Sequence, residues 1–373
     1  MQYLCLFRNL AYGAMMMWWD WTEITLFESV LFSILTIFIL YLVGFGVLSL
    51  FCSLRKTSDP FRSFDFFQKA NFRVLFGFVF VYLFYYLFAF LNLALFSTLL
   101  IICLSFIGIS TLFKDREKWL KRPLPRFRGN YINIAIFSIL IVVIFLSSML
   151  IAGFYGSTID DGADHTLMTR IVLDNPVSLL TRSGQPFANL ILNYPSGAHV
   201  LSAFFVSLLN VSIQKIVILI SVVLPTLIAL AFYSTLKCLF KNRAISILGL
   251  IVASFFTIGF SWGPLGWGGL PVLLSLYLLL SGMGLIFVFL LSKQLSYPNA
   301  FLLGLIFFIS SQTYPSALLL ESLWVVMILI IKLSIIVWHN HLFEVPFSSF
   351  LKWKNAAMAV VFLIRYQNKP IIN

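Results

Sequence analysis

Four of the chain's 13 acidic side chains fall in one short stretch, IDDGADHTLMTRIVLDNP, as Asp160, Asp161, Asp164 and Asp174. His165, one of four histidines, sits among them. A carboxylate at the mouth of an apolar cavity can act as a general base, taking a proton from a hydroxyl. Asp160, Asp161, Asp164 and His165 are the catalytic candidates. Asp161, Asp164 and His165 could also hold a divalent cation. They supply at most three ligands, and no second acid-rich loop completes a shell. Metal dependence is left open here, and no cofactor is certain.

After Asp160 the pattern turns helical, with apolar Leu167, Met168, Ile171 and Val172 at a 3.6-residue period. Asn175-Pro176 ends it. Asp161, Asp164, His165 and Met168 then fall at i, i+3, i+4 and i+7, which puts both carboxylates and the imidazole on one side. Arg170 lies on a different side. A plainer reading competes: Asp161 as N-cap and Asp164 facing the helix dipole. Capping accounts for two acids and leaves Asp160 and His165 over. Surplus acid beside lipid is costly unless it faces water or a site.

A second constellation is NYPSGAHVL, residues 193 to 201. Pro195 suits a first helical turn, and Gly197 allows close backbone approach. His199 then sits just inside, as a satisfied core histidine or as a contact to a substrate phosphate near the helix N-terminus. Arg182 can grip a phosphate bidentately or meet a lipid head group. Arg170, Arg182, Tyr194, His199 and Gln312 make up the substrate-contact set. Trp262 and Trp267 read as interfacial belt residues before sugar platforms. Glu321 is an ionisable group one turn into a span, and His339 and His341 fall on the opposite side.

The elements that must position these residues are written in the composition. The chain is 61% hydrophobic and only 10% charged, with a mean hydropathy of +1.01. Soluble domains hold about 25% charged residues. Cys5, Cys52, Cys103 and Cys238 are scattered in or beside apolar runs and show no metal or disulfide spacing. The N-terminal segment lacks the pattern of a cleaved signal peptide. A net charge of +12 would point to nucleic acid in a soluble protein. Here the basic residues cluster in short loops, the membrane-orientation pattern, so no nucleic-acid partner is expected.

The fold class expected is all-α, a polytopic transmembrane bundle of about 8–9 spans. Spans are predicted at 24–51, at two helices within 74–113 that turn near Asn92, and at 132–154, 216–236, 244–260, 271–291 and 317–338. A weak span lies at 301–311. The outer loop, residues 155–196, carries short juxtamembrane helices, and a 13-residue helix at 197–209 is half-inserted or juxtamembrane. One membrane domain covers 1–373. It divides into N-terminal spans (1–130), a core (131–338) and a C-terminal segment (339–373) that reads as truncated or as a short variant. Residues 55–73 hold five basic residues and residues 114–128 hold seven. Keeping these cytoplasmic puts 155–196, 261–271 and 310–316 on the outer face.

An acidic outer loop just after a span, with Asp160-Asp161 at its start and a Tyr-Pro-x-Gly-x-His helix (YPSGAH) after it, resembles the GT-C superfamily of integral-membrane glycosyltransferases. In layout it is similar to protein mannosyltransferases and aminoarabinose transferases, over about residues 130–320. The resemblance implies transfer of a sugar from an isoprenyl-phosphate donor to a glycan, lipid or protein acceptor. A loop carboxylate would be the base, and Arg or His contacts would stabilise the leaving phosphate. It implies a multi-pass protein of the cytoplasmic membrane with an extracytoplasmic active face. The chain departs from the family in three ways. Its loop follows the fourth span instead of the first, Pro195-Ser196 replaces the usual Pro-Pro, and the chain stops after IIN. Rival readings are a flippase for a lipid-linked saccharide and a non-catalytic assembly subunit.

Overall fold

The computed structural model describes residues 26–55, 61, 64–91, 94–120, 138–148, 161–174, 196–258, 269–291 and 297–314, with 319, 323 and 326. Among the described residues the secondary structure is helical throughout. The helices are α1 (Leu26–Arg55), α2 (Phe66–Phe90), α3 (Ala94–Leu120), α4 (Ser138–Ser148), α5 (Asp161–Asp174), α6 (Gly197–Leu209), α7 (Ile213–Phe240), α8 (Arg243–Ile258), α9 (Leu270–Leu291) and α10 (Tyr297–Thr313). Each predicted element up to residue 311 has a helix. The long run at 74–113 does divide, between Phe90 and Ala94. The predicted span at 317–338 lies almost wholly outside the described residues, as do the C-terminal segment, Trp262, Trp267, Glu321, His339 and His341.

Among the described residues, four helices are long and apolar enough to cross a membrane, within Val30–Ser53, Phe66–Phe88, Ile213–Phe240 and Leu270–Phe289. This is the character of an integral membrane protein, and among the described residues full-length spans number fewer than the eight or nine expected for the whole chain. Length explains the difference. A bilayer core of about 30 Å needs roughly 20 helical residues. The apolar stretches of α3, α4, α6, α8 and α10 are shorter than that among the described residues.

Small residues bring the first helices together. A Cβ on Gly44 of α1 would fall on the Arg73 carbonyl of α2, and one on Gly77 of α2 would fall on the Leu40 carbonyl of α1. Gly46 and Gly108 make the same kind of contact between α1 and α3. Backbones this close suit a lipid solvent, where helices associate through packing instead of apolar burial. Hydrogen bonds add to it deeper in. Buried Asn71 of α2 donates to Ser281 Oγ of α9 at 3.3 Å, and Tyr277 of α9 donates to the Asn71 carbonyl at 3.2 Å. Thr235 of α7 donates to the Leu280 carbonyl of α9 at 2.6 Å.

The start of α2 is pinned by a reciprocal cap. Gln68 N–H donates to Asp65 Oδ1 at 2.9 Å, and Asp65 N–H donates to Gln68 Oε1 at 3.3 Å, which is a capping box. The second Asp65 oxygen accepts from Tyr233 of α7 at 2.8 Å. Local capping thereby becomes a tertiary tie between α2 and α7. Asn242 caps α8, accepting from Ala244 N–H at 2.9 Å.

Gly44→Val has nowhere to place its side chain. It is expected to cost about 2 kcal/mol or more in a detergent unfolding titration, whereas Gly282→Ala, whose nearest neighbour would be at 3.4 Å, is expected to be near neutral.

Candidate functional site

Helix α6 is the centre of the site. It is 13 residues long, about 20 Å at 1.5 Å per residue. Its first nine residues, Gly197 to Phe205, are all buried. Helices α2, α5, α7, α9 and α10 all pack against it. Residues 197–209, expected as a half-inserted or juxtamembrane helix, form a helix that lies inside the bundle. Its composition, GAHVLSAFFVSLL, is apolar on all sides, and a helix apolar all round is a buried helix.

Gly197 does make the close approach predicted for it. Its Cα faces Thr313 at the end of α10, where a Cβ would come within 2.2 Å of the threonine hydroxyl. Ser196 precedes the helix without a side-chain cap and neighbours Tyr82 of α2. Tyr82 stacks on Tyr86 (centroids 5.8 Å apart), and Tyr85 meets Phe204 of α6 edge-on (6.4 Å). At the other end Asn210 adopts φ 52° and donates its N–H to the Val206 carbonyl at 2.9 Å. Asparagine tolerates this left-handed cap better than other side chains with a Cβ.

The acidic segment forms α5, Asp161–Asp174, and the predicted stop at Asn175-Pro176 lies outside the described residues. Part of the side that carries His165 and Met168 is buried. His165, Met168, Thr169 and Val172 are buried, at i, i+3, i+4 and i+7. Asp164 and Leu167 are exposed. Periodicity alone groups Asp164 with His165, since consecutive residues differ by only 100° around the helix. Docking against α6 selects the stripe containing His165 and leaves Asp164 on the outer edge. Asp164 and His165 thus face different surroundings. Among the described residues, none of the groups of His, Cys, Asp and Glu has the three members that a metal ion would need.

His165 and His199 meet at the α5–α6 contact. Their accessibilities are 0% and 2%. Nδ1 of His165 lies 3.2 Å from Nε2 of His199, with ring centroids 5.3 Å apart at 45°. This is hydrogen-bonding distance, so one ring donates and the other accepts. Neither sequence reading of His199 anticipates this partner. The only sign in the sequence is a single histidine in each of the two helices. The nearby hydroxyls turn back into their own helices: Thr169 donates to the His165 carbonyl and Ser202 to the Ala198 carbonyl, at 2.8 and 2.9 Å.

Further along, α5 and the start of α7 frame an open cleft of about 330 Å³. Thr166, Arg170 and Leu173 line it from α5, Val206 from α6, and residues 211–214 from the turn into α7. Since His165 faces His199 and Leu173 shares this cleft with Val206, α5 and α6 run in the same direction. Arg170 Nε donates to Asp174 Oδ2 at 2.7 Å, with both side chains more than half exposed. An exposed pair of this kind contributes little stability and leaves the guanidinium at the rim. Gln312, half-buried, sits in the last turn of α10 beside Thr313. Asp160, Arg182 and Tyr194 lie outside the described residues, as does the side chain of Asp161.

No family model, no curated protein and no solved structure matches this chain.

The histidine contact is expected to appear as thermodynamic coupling. His165→Ala and His199→Ala should each cost about 1–3 kcal/mol, and the double variant should cost much less than their sum. Strict additivity in a double-mutant cycle would show that the rings do not interact.

Proposed function

We propose that this protein is a membrane glycosyltransferase that moves a sugar from an isoprenyl-phosphate donor to an acceptor on the extracytoplasmic face. The observation that supports this most is the union of the two segments on which the GT-C resemblance rests. The acid-bearing helix α5 is fastened to the proline-led helix α6 through buried His165 and His199. Residues 34 positions apart in sequence are held as one unit, as a catalytic centre assembled from them requires.

In this reading Asp160 or Asp161 removes the proton from the acceptor hydroxyl. The acceptor oxygen bonds to the anomeric carbon, the bond from that carbon to the phosphate oxygen breaks, and the lipid phosphate leaves. Asp164, exposed at the edge of α5, supports the base from the water side. Arg170 at the rim of the cleft and Arg182 supply positive charge for the leaving phosphate. Tyr194 and Gln312 border the substrate. His199 is buried against His165, so its role is to position α5.

Membranes containing the parent protein are expected to incorporate labelled sugar from a polyprenyl-phosphate donor. The Asp160→Asn, Asp161→Asn double variant should lose about 100-fold or more, the usual size of a general-base contribution. Full activity in that variant would remove the carboxylate-base role, and movement of donor across the bilayer with no transfer would favour a flippase. Sidedness has its own test. Cysteines placed at exposed Asp164 and exposed Lys241 should react with an impermeant thiol reagent from opposite sides of the membrane. Labelling of both from one side would contradict the assigned topology.

A further inference from the structure

We propose that the amino end of α6 is a binding site for a singly charged phosphodiester, the head-group linkage of a membrane lipid. The inference goes beyond the transfer reaction and does not depend on it. Helix α6 begins without a cap. Ser196 makes no side-chain bond to it, and Val200 N–H donates to the Ser196 carbonyl at 2.9 Å. Among the described residues, the N–H groups of Gly197 and Ala198 have no acceptor, although both residues are buried. Thr313 covers Gly197, but its hydroxyl is turned to the Ile309 carbonyl at 2.8 Å. The free N–H groups at the start of a helix amount to about half a positive charge, and an anion is their natural partner.

A second observation points to a ligand at the same place. Tyr82 of α2 is only 1% exposed. Its hydroxyl reaches toward Ser196 and makes no hydrogen bond among the described residues. A tyrosine hydroxyl cannot turn back into its own helix as those of Thr169, Ser202 and Thr313 do. Ser310 of α10, one turn before Thr313, is a second fully buried hydroxyl with no bond. Buried donors left without acceptors are costly, and a ligand oxygen removes that cost. Ser196 is only partly buried, so this end of α6 is within reach of the surface.

The charge of the ligand follows from the groups around it. The sequences of α6, α9 and α10 contain no lysine or arginine. Lys69 and Arg73 of α2 belong to the first third of that helix, and Tyr82 to the last. Arg170 lines the cleft beside Val206, toward the other end of α6. The contact of His165 with His199 brings the acidic start of α5 close to the amino end of α6. Amide and hydroxyl donors can hold one negative charge there, whereas a second would meet the α5 carboxylates with no described cation to offset it. A phosphodiester carries one charge, and a phosphate monoester carries close to two near neutral pH. Donors from two helices suit the two unesterified oxygens of a diester. An ordinary phospholipid and a lipid-linked sugar both present this group.

The test is lipid binding to the full-length chain in a maltoside detergent at about pH 8, where a monoester is close to doubly charged. Labelled phosphatidylglycerol is the diester and phosphatidic acid the monoester. Saturable binding of phosphatidylglycerol is expected, with phosphatidic acid about tenfold weaker. Tyr82→Phe keeps the ring and loses the donor, so it should bind phosphatidylglycerol about tenfold more weakly, the size of one hydrogen bond to a charged group. Ser196→Asp places a carboxylate on the same N–H groups. It should raise the thermal unfolding midpoint and lower lipid binding by about tenfold or more. Competition with a glycosyl polyprenyl phosphate separates the two sources: displacement at lower concentration makes the lipid-linked sugar the occupant, and displacement only at higher concentration makes it a phospholipid. No saturable binding in the parent, equal binding of the monoester, or parent-like binding in both variants would overturn the site. Buried water as the sole partner of Tyr82 would give the last of these results.

Discussion

A short helix whose first nine residues are buried in the bundle sets the terms for the rest of this molecule. Helix α6 is 13 residues long, too short to reach across a bilayer core of about 30 Å. Its ends and its polar side chains must therefore find partners inside the bundle. Asn210 closes one end through its left-handed cap, and Thr313 seals the other against Gly197. His199 is left as a ring with two polar nitrogens in an apolar wall. A buried polar group without a partner is expensive, and His165 on α5 provides one. The contact between the two rings ties the acidic segment to the core.

The same economy appears at the far end of the bundle. Asp65 completes the first turn of α2 and in the same geometry accepts from Tyr233 of α7. Between the two ends, glycines bring backbones into contact and Asn71 bridges α2 to α9. The bundle is held by close approach and a few well-made hydrogen bonds, as suits a chain whose outer surfaces are apolar. Phe27, Leu31, Ile34 and Phe38 line one exposed stripe of α1, where lipid is the natural neighbour. Such a frame can carry an exposed carboxylate such as Asp164 at its edge without paying for a charge inside.

Much of the helical plan was legible in the sequence, because apolar runs and polar breaks mark helices and their ends. Helix α6 could be read residue for residue. The number of full crossings was less legible. An apolar stretch of 13 to 17 residues looks alike whether it meets lipid or is buried by other helices, and only tertiary packing tells the two apart. Which residues of α5 dock against α6 was less legible for a related reason. Asp164 and His165 are neighbours, and the sequence pattern could not say which of them the docking stripe would include. The Asp65–Gln68 capping box is a three-residue spacing that the sequence does display, whereas its link to Tyr233 depends on how α2 and α7 pack. The contact between His165 and His199 had no local signal, since two lone histidines in separate segments carry no spacing rule.

The account stands on that contact, and it can be observed directly. The chain has only four histidines, so nitrogen-15 labelling of histidine alone in the intact protein gives a spectrum simple enough to assign. The expected result is a coupling between two ring nitrogens across a hydrogen bond, from His165 Nδ1 to His199 Nε2, that disappears in His199→Gln. Four uncoupled rings, with His165 and His199 titrating as free imidazoles, would contradict the account.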